Sequence, residues 1–145
     1  MDKVAKIGSL LKKIYRVYSN TLIQTLEDQG FLDLRVSFLE ILIYISQNPN
    51  SSIKLIGEAC GLKKQTMTSH LNELERRGYI SRSPSPQDKR ELQVNLTDYG
   101  IKFKVSLFNV MNQLETEYDS KLGEVEMERI SFSLENFYQK IDSRS

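Results

Sequence analysis

The sequence predicts a mainly α-helical fold with one small β-hairpin, on three observations. Apolar residues recur at helical spacing through most of the chain. The period changes to alternation only near residues 79–96, where Leu92, Val94 and Leu96 interleave with Glu91, Gln93 and Asn95. Gly30, Asn48-Pro49-Asn50, Gly61 and Gly78 punctuate the helical stretches.

Taken in order, residues from about Lys3 to Asp28 form a long first helix, with Ile7, Leu10, Leu11, Ile14, Tyr15, Val17, Tyr18, Leu22 and Leu26 in phase. A second helix, about Asp33 to Ser46, is apolar on most sides and so belongs at the centre of a core. Ser51 or Ser52 caps a short third helix that turns Ile53, Ile56, Ala59 and Cys60 inward, and Gly61 closes it. The fourth runs from about Lys64 to Arg77, with Met67, Leu71 and Leu74 on one stripe and Arg76-Arg77 at the negative end of its dipole. Tyr79–Arg82 is a short strand, 83–88 a loop, and Leu92–Leu96 a half-buried return strand. Thr97 caps a fifth helix reaching about Lys121, with Ile101, Val105, Phe108, Met111, Leu114 and Tyr118 in register. A sixth spans about Glu124 to Ile141.

Composition narrows the function. The net charge of +1 does not advertise a polyanionic partner, but its distribution does. Residues 61–90 hold seven Lys/Arg against three acids, and residues 115–142 hold three bases against eight acids. Cys60 is the only cysteine, which rules out an intrachain disulfide or a multi-cysteine zinc site. The opening residues Met1–Lys6 lack a signal-peptide apolar region, and the longest apolar run, Phe38–Ile45, contains Glu40 and is far short of the roughly 20 residues of a membrane span. A cytoplasmic location without a membrane partner is expected. With one histidine, one cysteine, no Gly-rich phosphate loop and no recognisable carboxylate pair, the chain is expected to be no enzyme and to use no cofactor and no metal.

Residues 52–80 have helix-turn-helix logic. Steeply crossed helices need small residues at their contact, for which Gly57 and Ala59 are candidates, and the turn between them needs the left-handed freedom of Gly61. The second of these helices offers polar Gln65, Thr66, Thr68, Ser69 and Asn72 on one side and an apolar stripe on the other. An ordinary amphipathic pair would share this pattern. The basic hairpin adds to it: Asp88 and Arg90, two apart, would share a strand face, letting a carboxylate steer a guanidinium toward a narrow minor groove.

Ala59-Cys60-Gly61-Leu62, Leu74-Glu75-Arg76-Arg77-Gly78-Tyr79-Ile80 and Asp88-Lys89-Arg90 followed by Leu96-Thr97 and Gly100 together resemble the MarR (multiple antibiotic resistance regulator) family of winged helix-turn-helix transcription regulators. The resemblance covers nearly the whole chain. It implies one domain over residues 1–145, with a winged helix-turn-helix lobe at about 33–97 and dimerisation helices at about 3–28 and 98–142. It further implies a homodimer on a pseudo-palindromic operator, usually repression, and often release by a small-molecule effector. Carried over, Gln65, Thr66, Thr68 and Ser69 would enter the major groove. Lys63, Lys64 and Arg82 would touch phosphates, and Arg90 would enter the minor groove with Asp88 orienting it and Lys89 beside it. Lys63 stands where many members have a capping Ser or Thr, and Ser69 and Glu73 where many have basic residues.

The terminal helices carry more apolar residues than one thin lobe can cover. Leu10, Ile14, Val17, Phe108, Met111, Ile130, Leu134 and Phe137 are therefore expected to meet a second copy. Packing is the plainer expectation for Cys60 and for Tyr15, Tyr18, Phe38 and Tyr44, which could otherwise sense oxidants or line an effector pocket. His70 is expected to be solvated. A winged-helix scaffold that binds a protein instead of DNA remains an alternative, supported by the weakly basic fourth helix.

Overall fold

The computed structural model describes residues 1–142. In chain order it contains α1 (Asp2–Asp28), α2 (Val36–Gln47), β1 (Ser51–Ser52), α3 (Ile53–Cys60), α4 (Lys64–Arg76), β2 (Ile80–Pro84), β3 (Leu92–Leu96), α5 (Asp98–Leu122) and α6 (Glu124–Ile141). The chain divides into two compact units, Met1–Phe108 and the residues from Asn109 onward. No helix among the described residues is long and apolar enough to cross a membrane.

The first unit is organised around α2, whose Phe38, Leu39, Ile41, Leu42 and Ile45 are all buried. They share a core with Leu22 and Leu26 of α1, Ile56 of α3, Met67, Leu71 and Leu74 of α4, and Val94 of β3. Helix α2 starts at Val36, later than its apolar pattern suggests, because Asp33 adopts a left-handed φ of 57° that a helix does not admit. The hairpin belongs to a three-stranded antiparallel sheet in the order β1-β3-β2. Strand β1 was not foreseen. It is two residues long, and it exists because Ser51 and Ser52 pair with Val94 and Gln93, far away in sequence. Strand β2 runs through Pro84, which pairs at the far end with Leu92.

Helix α5 leaves the sheet through a tight junction. The Thr97 hydroxyl donates to the carbonyl of Gly78, and its oxygen accepts from Gly100 N at 3.0 Å, capping the helix as expected. A Cβ on Gly100 would lie 2.1 Å from the Tyr79 carbonyl, so only glycine permits this approach. Phe103 packs edge-on against both Phe31 and Tyr79, at 5.2 and 5.4 Å.

The inward stripe of α5 differs from expectation. Phe103, Leu107, Val110 and Leu114 are the buried residues, whereas Ile101, Val105 and Phe108 are exposed. The expected register holds at Leu114, which is buried, and in part at Met111 and Tyr118, which are half-buried; its first half, Ile101, Val105 and Phe108, faces water. In the second unit α6 has no buried residue at all.

Candidate nucleic-acid interface

The turn between α3 and α4 is built as its residues dictate. Ser52 caps α3 by accepting from Leu55 N at 3.2 Å. Gly61 ends it with φ 66°, in the left-handed region. A Cβ on Gly57 would stand 3.2 Å from Met67 Cγ and 3.3 Å from the Leu62 carbonyl, so a small residue is needed where the two helices approach. Ala59 does not share that role, since it is exposed. Ile56 and Gly57 are the buried residues of α3, with Ile53 and Cys60 half-buried.

Helix α4 turns Met67, Leu71 and Leu74 inward, which leaves Gln65, Thr66, Thr68, Ser69 and Asn72 exposed. Thr68 donates its hydroxyl proton to the Lys64 carbonyl at 3.0 Å, so its oxygen faces outward only as an acceptor. Lys63 and Lys64 are exposed, and Lys63 occupies the N-cap position without a side-chain cap.

The arginines at the end of this helix and on β2 are already partnered. Glu73 accepts from Arg76 Nε at 3.0 Å and from Arg77 Nε at 2.9 Å. Those hydrogen bonds, from Arg76 first and then Arg77, hold the Glu73 carboxyl down at about 2. Arg77 also donates to the Asp33 carbonyl at 2.8 Å and lies over the Phe38 ring at 5.2 Å. Arg82 of β2 donates through Nε to Glu75 at 2.8 Å, and through Nη2 to Asn72 Oδ1 at 2.8 Å and again to Glu75. Glu73 stands three and four residues before Arg76 and Arg77, a helical spacing that announces such pairs; the link from Glu75 and Asn72 to Arg82 joins two elements and has no local signal.

Asp88 and Arg90 do meet, though not on a strand face. Both lie in the turn before β3, where Asp88 Oδ1 accepts from Arg90 N at 3.0 Å and from its Nε at 3.2 Å. The aspartate side chain folds back onto the backbone two residues on, a local bond that alternation cannot anticipate. The Arg90 side chain is 91% exposed, against 21% for Arg82. Lys89 is exposed between the pair.

His70 is half-buried and edge-on to Phe38 at 4.9 Å, so it is not the solvated residue expected; its turn of α4 sits against α2. Phe38 is buried among His70, Arg35 and Arg77. Tyr15 donates to Glu40 Oε1 at 2.9 Å and tilts against Tyr18 at 5.8 Å. Burial, aided by Glu40, pushes the Cys60 thiol up to about 11, which keeps it protonated and weakly nucleophilic near neutral pH.

A short helix, a glycine turn, a second helix with an exposed polar face and an antiparallel hairpin with an arginine at its tip define a winged helix-turn-helix protein. The chain is 31% identical over 109 residues to the HTH-type transcriptional regulator SarZ of Staphylococcus saprophyticus, covering 74% of this chain and 73% of that one. It is 30% identical over 129 residues to SarZ of Staphylococcus aureus, covering 89% and 81%. The MarR family model matches residues 34–92. The chain belongs to the MarR family of DNA-binding transcription regulators, which are not enzymes. Its fold is also that of Streptococcus pneumoniae FabT crystallised with DNA, at a TM-score of 0.78 and 23% identity, covering 98% of this chain and 99% of FabT. Staphylococcus aureus MepR in a DNA-binding conformation gives 0.77 and 24%, covering 94% and 98%.

Proposed function

We propose that two copies of this chain bind one pseudo-palindromic operator, with α4 of each in a major groove and the hairpin tip beside it in a minor groove. The observation that carries this reading is the pairing of an exposed polar α4 face with an almost fully exposed Arg90, steered by Asp88. Gln65, Thr66, Thr68 and Ser69 supply base contacts in this arrangement. Lys63, Lys64 and Lys89 face phosphates, and the start of α4, which no side chain caps, presents backbone N–H groups to the same anion. Arg82 reaches a phosphate only with its guanidinium already bonded to Glu75 and Asn72.

The second copy is supplied by the exposed apolar residues of the terminal helices. Leu10, Ile14 and Val17 of α1, Phe108 of α5, and Ile130, Leu134 and Phe137 of α6 are each more than a third exposed, and Met111 is half-buried. Water-facing apolar residues in such number mark an association surface. Occupied operators within a promoter would block transcription, so the proposed role is a repressor acting in the cytoplasm. Release by a small-molecule effector fits the family and is part of the proposal.

Selection of bound duplexes from a random pool tests the reading. The expected product is an inverted repeat with half-sites about 10–10.5 base pairs apart, centre to centre. Substitution of Thr68 or Ser69 should alter the selected sequence more than the non-specific affinity. A pool that shows no enrichment, or enriches a single asymmetric site, overturns the arrangement.

A further inference from the structure

We propose that Arg82 fixes the orientation of the Asn72 side chain so that it presents its N–H groups to DNA, selecting guanine over adenine at one position of each half-site. The proposal rests on the reading of α4 as the helix that enters the major groove. Asn72 follows Gln65, Thr68 and Ser69 by seven, four and three residues, so all four share one exposed face of α4.

The orientation of an amide is ordinarily ambiguous between its oxygen and its nitrogen. Here the partner decides it. A guanidinium has donors and no acceptor, so the Asn72 atom 2.8 Å from Arg82 Nη2 must be the oxygen. Arg82 is itself held by two bonds to Glu75 and is only 21% exposed, so it does not swing freely. Asn72 Oδ1 is thereby directed at a cation on the hairpin, and Nδ2 donates to nothing among the described residues.

Base chemistry then follows. A free asparagine reads adenine with both ends of its amide, accepting from N6–H and donating to N7. An asparagine whose oxygen is turned to Arg82 has one lone pair of that oxygen engaged and the oxygen aimed at the hairpin, so its two N–H groups are what it turns to a base. Guanine, with acceptors at both N7 and O6, suits such a donor; adenine presents its N6–H donor where an acceptor is required. Thr68 faces the same groove with an oxygen that only accepts, so donor and acceptor positions on α4 are set by bonds made inside the protein.

The test is selection from random duplexes by the full chain and four variants, with melting curves for each. Wild type should prefer guanine over adenine by roughly ten-fold at one symmetry-related pair of positions. Asn72→Ala should erase that preference. Asn72→Asp keeps an acceptor for Arg82 but has no N–H, and should erase it as well. Arg82→Met frees the amide and should shift the same pair toward adenine, leaving the other positions as they were. If Arg82→Met does not fold, Asn72→Asp decides: a retained guanine preference overturns the proposal. Adenine at the Asn72-dependent pair in wild type overturns it, as does a uniform loss of affinity in Asn72→Ala, the mark of a phosphate contact. Gln65→Ala separates the two levels. A shift caused by Gln65→Ala with none from Asn72→Ala sinks this proposal and keeps α4 as the reader; no shift from either sinks both.

Discussion

The lobe from α2 to β3 and the terminal helices solve their burial problems differently. In the lobe, α2, α3, α4 and the sheet close on one another, and among the described residues every buried side-chain polar atom has a hydrogen-bond partner. The first half of α1 exposes Ile7, Leu10, Leu11 and Ile14, and α6 exposes Phe132, Leu134, Phe137 and Ile141. The terminal helices repeat apolar residues at helical spacing as the lobe helices do, yet much of that apolar surface stays exposed in the single chain. An apolar stripe can therefore be a statement about folding or about a second molecule, and only solvent exposure tells which.

The comparison breaks most sharply by charging the exposed stripe. Leu134→Glu combined with Phe137→Glu should cost about 10²–10⁴-fold in operator affinity, because in the proposed dimer two linked half-site contacts become one. Circular dichroism melting should change far less, and a collapse of the fold instead would show that these residues serve the chain's own core. Next in size is Leu71→Ala, at a fully buried position of α4. A loss of about 2–5 kcal/mol in urea unfolding is expected there. Arg90→Ala lies on neither core: it should leave melting unchanged, weaken operator binding by about 1–3 kcal/mol and make the salt dependence shallower by about one unit of slope. Binding as tight as wild type across a salt titration would remove the arginine from the interface.

Elements with a strong local pattern were legible in the sequence. The bounds of α1 and α6, a serine cap at 51 or 52, the Thr97 cap, the left-handed Gly61 and the Met67–Leu71–Leu74 stripe all follow from periodicity and turn chemistry within a few residues. What escaped depends on distant partners. Strand β1 exists only through β3, and His70 is half-buried only because Phe38 lies opposite. Which apolar residues of α5 are buried is decided by the rest of the fold. At the candidate site, sequence supplied the residue types of α4 and the hairpin tip. It could not show that Glu75 and Asn72 hold Arg82, or that Asp88 reaches Arg90 through a turn.

The smallest expected effect is at Glu73. Its carboxyl is held down at about 2 by Arg76 and Arg77, below the usual carboxylate range. A depressed folded value contributes stability that is fully present above the ordinary carboxylate pKa and is lost as pH falls toward about 2. Glu73→Gln should be slightly less stable than wild type at pH 7 and converge with it as the solution is acidified. A constant difference between the two curves would mean that the carboxylate charge is not what matters there.

Sedimentation equilibrium of the protein at micromolar concentration, alone and with a selected operator duplex, bears most directly on the proposed interface between copies. The structure leads us to expect two chains in free solution and two chains per duplex. A stable monomer, or a single chain saturating the duplex, would contradict the account.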